Sequence, residues 1–164
     1  NLLFLAHADE SRQGIPKQAL SLSDLVSEMA LAFEALAFEK GQTLDSLIKP
    51  GLQVQGDPDL LRQLLGILLD NAVKYTPEGG SIAVELKVNR DKPQLTIRNT
   101  PAYIEKEHLS HLFDRFYRQD SARNKAEGGY GLGLSIAAEI ARQRGASLKV
   151  MSDPETGTSF VLGF

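Results

Sequence analysis

Between Ser23 and Lys40, apolar side chains recur at Leu25, Met29, Phe33 and Leu36, the spacing of one helix face, and Gly41 stops the run. Ser23 and Asp24 offer caps at its start, and Leu20, Ser21 and Leu22 alternate just before it like a short edge strand. Residues 42–48 and 52–55 read as two more short strands around the Pro50-Gly51 turn. A second helix is announced by Asp57 as cap and Pro58 at the first helical position; it carries Leu60, Leu61, Leu64, Leu65, Leu68, Leu69, Ala72 and Val73, and ends near Tyr75, before Pro77. Strict alternation follows in Ile82, Val84, Leu86 and Val88, then in Leu95 and Ile97, with Asn89-Arg90-Asp91-Lys92 between them, so 81–89 and 93–99 form a hairpin. Residues 100–128 are polar and sparsely periodic, with at most one short helix near 106–113, and connections that long are usually functional lids or disordered. A helix over 130–144 stopped by Gly145, and strands over 146–152 and 158–164, complete the chain. This order predicts an α+β fold, a two-layer α/β sandwich whose mixed sheet carries helices on one face and a long insertion between a strand and a helix.

The ends of the chain refine that outline. Leu2, Leu3, Phe4, Leu5 and Ala6 read as apolar helix with no cap before them, so residues 1–11 are expected to be the end of a longer helix and the chain a fragment, with 12–17, broken by Gly14 and Pro16, as the expected linker and 18–164 as the expected domain. A length of 164 residues with 42% hydrophobic content suits one globular domain with its own core. Eighteen Lys and Arg against 21 Asp and Glu leave a net charge of -3, which argues against nucleic acid or an anionic membrane as the main partner. The absence of cysteine excludes disulfides, thiolate metal sites and cysteine nucleophiles, and fits the cytoplasm. No apolar run approaches the roughly 20 residues of a membrane-spanning helix.

Three clusters carry candidate chemistry. Gly128-Gly129-Tyr130-Gly131-Leu132-Gly133-Leu134 leads straight into a helix; glycines let the backbone approach a ligand, and the amides and dipole of a helix N-terminus favour phosphate oxygens. A flexible linker is the plainer reading, but linkers rarely place leucines between their glycines. The cluster is neither a Walker motif, since no Gly-Lys-Ser/Thr occurs, nor a dinucleotide fingerprint, since Leu134 stands at the third glycine position. At the end of the second helix, Asn71, Lys74 and Tyr75 share a face at i, i+3, i+4 and offer an amide oxygen, a cation and a ring to one ligand; Asn71 alone could equally be a buried core asparagine. An amide oxygen suits Mg²⁺, which keeps waters and phosphates around it. In Leu112-Phe113-Asp114-Arg115-Phe116-Tyr117-Arg118, aromatic and cationic residues interleave inside the candidate lid; a phosphate-facing lid competes there with a solvated arginine face.

The order Asp70-Asn71-Ala72-Val73-Lys74-Tyr75-Thr76, Phe113-Asp114-Arg115-Phe116-Tyr117-Arg118, Gly129-Tyr130-Gly131-Leu132-Gly133-Leu134, then Gly157-Thr158, resembles the catalytic ATP-binding domain of a bacterial two-component sensor histidine kinase. The resemblance spans nearly all of 18–164, and Leu2 to Asp9 resembles the end of that family's second dimerisation helix. It implies the Bergerat-type ATP-binding fold with a long ATP lid, and transfer of the γ-phosphoryl group of Mg-ATP to a histidine. It implies that Asn71 holds Mg²⁺, that Lys74 reaches a phosphate and that Tyr75 lies against adenine. Arg115 or Arg118 approaches the γ-phosphate, Gly129, Gly131, Leu132, Gly133 and Leu134 wrap the phosphates, and Thr158 closes the far side of the base pocket, which Asn99, Ile104 and Phe116 also line. It implies as partners the phosphoacceptor dimerisation helices, a response regulator and a second copy of a membrane-anchored parent, with this part in the cytoplasm.

Two positions depart from the family's pattern. Where the family has Asp-x-Gly-x-Gly, this chain has Asn99-Thr100-Pro101-Ala102-Tyr103; Asn99 can accept the adenine amine's hydrogen bond, but without charge that bond is weaker by roughly 1 kcal/mol. Pro101 and Tyr103 stiffen the wall. Ile67, four residues before Asn71, cannot activate water, which favours transfer or binding over hydrolysis. His7 lies outside any acceptor motif, and His108 and His111 lack an evident third metal ligand, so the acceptor histidine is expected upstream of the fragment. A degenerate nucleotide-binding or protein-docking module and a serine-phosphorylating anti-sigma factor are the competing readings.

Overall fold

The computed structural model describes residues 18–115 and 133–164. The expected helix of 1–11 and linker of 12–17 lie outside them, as does the start of the helix expected from residue 130. The elements are β1 (Gln18–Ser21), α1 (Leu22–Glu39), β2 (Thr43–Ile48), β3 (Gln53–Gly56), α2 (Pro58–Tyr75), β4 (Ser81–Asn89), β5 (Lys92–Thr100), α3 (Lys106–Leu109), α4 (Gly133–Gln143), β6 (Ser147–Asp153) and β7 (Gly157–Gly163). The main sheet has the order β2-β4-β5-β7-β6, with β2 parallel to β4 and every other pair antiparallel. The three long helices pack on one face of it, α2 between α1 and α4. This is the two-layer α+β sandwich the alternation of elements predicts.

α2 is the keel. Leu61, Leu64, Leu65, Leu68, Leu69, Ala72 and Val73 are all buried, as the apolar spacing requires, and they meet Ile82, Val84, Leu86, Leu95, Ile97, Phe160 and Leu162 of the sheet. The helix starts where Asp57 Oδ1 accepts from the amides of Asp59 at 2.8 Å and Leu60 at 3.4 Å, with Pro58 in the first turn. The hairpin of β4 and β5 pairs Asn89 with Lys92, and its turn residues Arg90 and Asp91 both take positive φ, 53° and 64°, as a two-residue hairpin turn demands.

Four details correct the expectations from sequence. The cap of α1 is Ser21, whose hydroxyl accepts from the amide of Asp24, and not Ser23 or Asp24. Ser23 is buried, and its Oγ donates to the carbonyl of Lys49 at 2.6 Å and accepts from the amide of Leu52 at 2.9 Å. That bridge, with Leu22 and Ser23 amides on the Leu52 carbonyl, turns the chain out of one sheet and into another. So β2 and β3 are not partners: β3 pairs with β1, which begins earlier than the alternation suggests. The buried face of α1 is Leu22, Leu25, Val26, Ala30 and Ala37, with Met29 and Phe33 at its margin, whereas Leu36 is 47% exposed. The stripe ends on Ala37 because the chain folds back there: Gly41, at φ 71°, lets the amides of Lys40 and Gln42 both reach the Ala37 carbonyl. Finally, α3 covers only Lys106–Leu109, with turns after it.

Candidate functional site

The end of α2 presents one polar edge. Ile67, Asn71 and Lys74 are half-buried and Tyr75 is 47% exposed, so the residues expected to share a face do share it. The helix cannot continue past them, because Pro77 lacks an amide hydrogen, and Thr76 closes the last turn by donating its hydroxyl to the Ala72 carbonyl at 2.6 Å. No hydrogen bond ties the Asn71 or Lys74 side chains within the described residues.

Facing that edge is the N-terminal end of α4. A methyl group built on Gly133 would sit 3.7 Å from Ile67 Cγ2, one turn before Asn71, and Leu134 packs against the core while Ser135, Ile136 and Ala137 are buried. Thus the helix start that the glycine cluster feeds lies beside the Asn71 face. Of the other residues expected there, Phe116, Arg118, Gly129, Gly131 and Leu132 lie outside the described residues. Arg115 is exposed, and two residues before it Phe113 is held edge-on against the core ring of Phe160, centroids 6.4 Å apart.

The floor comes from the sheet. Asn99 on β5 and Thr158 on β7 are register partners, 4% and 2% exposed, on the side of the strands that carries Ile97 and Phe160. Gly157 must be glycine here: φ is 94° and a Cβ would come within 2.4 Å of the Asn99 carbonyl oxygen. The segment in place of the expected glycines is tied down by a chain of hydroxyls. The Ile104 amide donates to Ser152 Oγ at 2.8 Å, Ser152 lies 2.7 Å from Thr158 Oγ1, and Thr158 donates to the Ala102 carbonyl at 3.2 Å. Because the Thr158 proton is on Ala102, Ser152 is the donor between the two hydroxyls. Ile104 therefore enters the wall through its backbone. Ser152 was not singled out by the sequence; its only signal is its register opposite Thr158 across the β6–β7 turn.

His111 is paired with Asp114 at 2.9 Å, while the donor atoms of Glu105, Glu107 and His108 lie within 4.8 Å of one another on exposed or half-buried positions around α3. The burial of Arg144, at the far end of α4, lowers its pKa from the usual arginine value, and its guanidinium stacks 5.1 Å above the Phe164 ring.

A polar helix edge, the first described turn of α4 and a buried amide-hydroxyl pair at the strand ends meet on the helix-covered side of a two-layer α/β sandwich. The chain belongs to the family described as histidine kinase-, DNA gyrase B- and HSP90-like ATPases, whose pattern matches residues 56–164. It is 45% identical over 165 residues to the sensor histidine kinase YkoH of Bacillus subtilis, covering 99% of this chain and 35% of that protein. It is 40% identical over 162 residues to the sensor histidine kinase CusS of Escherichia coli K12, covering 99% of this chain and 33% of that protein. The chain thus spans about a third of the length of these curated relatives. Among solved structures, full-length ShkA in complex with AMPPNP superposes with a TM-score of 0.84 at 21% identity, covering 99% of this chain and 34% of that one. The catalytic domain of the histidine kinase ThkA gives 0.79 at 22%, covering 92% and 95%, and these two likenesses concern the fold.

Proposed function

We propose that the chain binds ATP with Mg²⁺ in the cleft between the end of α2, the start of α4 and the Asn99–Thr158 floor, and serves as the catalytic domain of a two-component sensor histidine kinase. The observation that carries this reading is the approach of Gly133 to Ile67, which sets a helix N-terminus beside the Asn71 and Lys74 edge. Mg²⁺ fits the donor chemistry of Asn71, one neutral amide oxygen on a half-buried face, and when bound it neutralises phosphate charge. Lys74 takes a phosphate and Tyr75 lies along the base. Asn99 accepts from the adenine amine and Thr158 closes the pocket beyond it. Arg115 or Arg118 meets the γ-phosphate, and Gly129, Gly131, Leu132, Gly133 and Leu134 wrap the chain of phosphates. Phosphorus transfers to a histidine nitrogen as its bond to the ADP oxygen breaks, and positioning with charge neutralisation supplies most of the acceleration. The acceptor lies on a dimerisation helix outside these 164 residues, in a membrane-anchored, dimeric parent that passes the group to a response regulator.

A second reading, a degenerate nucleotide-binding or protein-docking module with little or no kinase activity, is favoured by one observation: the wall at Ala102–Ile104 is fastened to the sheet by Ser152 and Thr158. Calorimetric titration with ATP, with and without Mg²⁺, alongside Asn71→Ala, separates the two. Saturable binding that needs Mg²⁺ and collapses in the variant supports the kinase reading; no heat and no thermal shift at millimolar ATP overturns it.

A further inference from the structure

Pro77 leaves a vacancy in the hydrogen bonding of α2 that a distant side chain fills. In a helix the carbonyl of Val73 would accept from the amide of the residue four places on, but that residue is Pro77, which has none. The carbonyl of Thr76, just past the last turn, also lacks a helical donor. Gln42, 4% exposed at the entry to β2, supplies both: its Nε2 donates to Val73 O at 2.8 Å and to Thr76 O at 2.5 Å. The amide can sit only this way, since the reverse orientation sets its oxygen against two carbonyl oxygens. Its Oε1 is buried without a partner among the described residues, which an apolar side chain of the same length would avoid. The backbone around it is laced in the same sense, with the Gly79 amide on the Gly41 carbonyl at 2.9 Å and the Thr43 amide on the Gly80 carbonyl at 3.1 Å.

We infer that Gln42 is a positioning residue for the nucleotide site: from another element it caps the last turn of α2 and holds Asn71, Lys74 and Tyr75 in one arrangement. This rests on the reading under Proposed function. Val73 and Thr76 are both 5% exposed, so water cannot replace the amide without the turn opening.

The test uses the 164-residue chain with Gln42→Met, which keeps length and loses both donors, and Gln42→Glu, which regains one donor only when protonated. The readouts are the Mg-ATP dissociation constant relative to wild type at each pH, and amide hydrogen exchange without nucleotide. Glu78 beside Gly41, Lys40 just after α1 and Lys74 on α2 are common to all three proteins, so the ratio isolates the change at position 42. Gln42→Met is expected to weaken binding about tenfold at every pH and to speed exchange at residues 71–76 but not in β4 and β5. Gln42→Glu is expected to match it at about pH 8.5 and to return to within about threefold of wild type at about pH 5.5. Affinity unchanged in both variants, a Gln42→Glu ratio flat with pH, or faster exchange throughout the sheet overturns the inference. Should Gln42→Met fail to fold, the recovery of Gln42→Glu decides alone. Failure of the wild type itself to bind Mg-ATP overturns the site reading, and this inference with it.

Discussion

Replacing Asn99 with aspartate should move nucleotide affinity and stability in opposite directions. The side chain is 4% exposed, and its neighbour across the register, Thr158, already donates its proton to Ala102. Among the described residues an aspartate there starts without a donor, and a buried charged group left unsatisfied costs about 3 kcal/mol or more, part of which Thr158 can return only by releasing Ala102. For a domain of this length that lowers Tm by about 6 to 12 °C. Burial raises the folded-state pKa of such a carboxyl above its unfolded value, so the folded form binds more protons and the variant loses stability as pH rises from acid to neutral. In the site proposed above, the same carboxylate should make a charge-assisted bond to the adenine amine, stronger than the amide's by about 1 kcal/mol, which is about fivefold in Kd. Calorimetry with Mg-ATP and thermal melts between about pH 5 and pH 8 measure both effects. Weaker ATP binding in Asn99→Asp, or an unchanged Tm at neutral pH, refutes the reasoning that position 99 is a dry, donor-poor seat for a base amine.

Ser152→Ala removes the middle of the hydroxyl chain and leaves the Ile104 amide without its partner; a loss of about 1–3 kcal/mol is expected in denaturant melts, with faster exchange at Ile104. Gly157→Ala meets both a φ of 94° and the Asn99 carbonyl 2.4 Å from the new Cβ, so β5 and β7 must separate, and a loss above about 3 kcal/mol should appear as a collapsed Tm or insoluble protein. Asp57→Ala takes the acceptor from the Asp59 and Leu60 amides and should cost about 1 kcal/mol by urea titration while leaving ATP affinity unchanged.

Periodicity told most where one face of an element is dry. The leucines of α2 and the alternation of β4 and β5 could be read from the chain because each meets a single core, and Gly41 and Gly145 marked helix ends because both take positive φ, at 71° and 73°. The reading failed where a long-range bond overrides local pattern. Ser23 has the composition of a cap but is used 26 residues away, on Lys49, and that contact sends β2 and β3 to separate sheets. Leu36 fits a helical stripe, yet the fold-back at Gly41 puts Ala37 inward and Leu36 half outside. At the site, Asn71, Lys74 and Tyr75 were visible through helical spacing, and Asn99 and Thr158 through resemblance to a family motif. Ser152 and Gln42 carried no local signal, because their partners lie on other elements.

The direction of the hydroxyl chain settles what the floor can say to a ligand. The Ala102 carbonyl can only accept, so the Thr158 proton points to it and the Ser152 proton to Thr158, while Ser152 accepts from the Ile104 amide. With that proton placed and one lone pair taken by Ser152, Thr158 has a single lone pair left to offer, and the one Ser152 hydroxyl proton is already used. A molecule arriving over β7 is therefore met by an acceptor and not by a donor: an amino group finds a partner there, and a carbonyl oxygen finds another oxygen. For the nucleotide site proposed above, that polarity favours a 6-amino over a 6-oxo purine, and it is set by a carbonyl 56 residues from Thr158 along the chain.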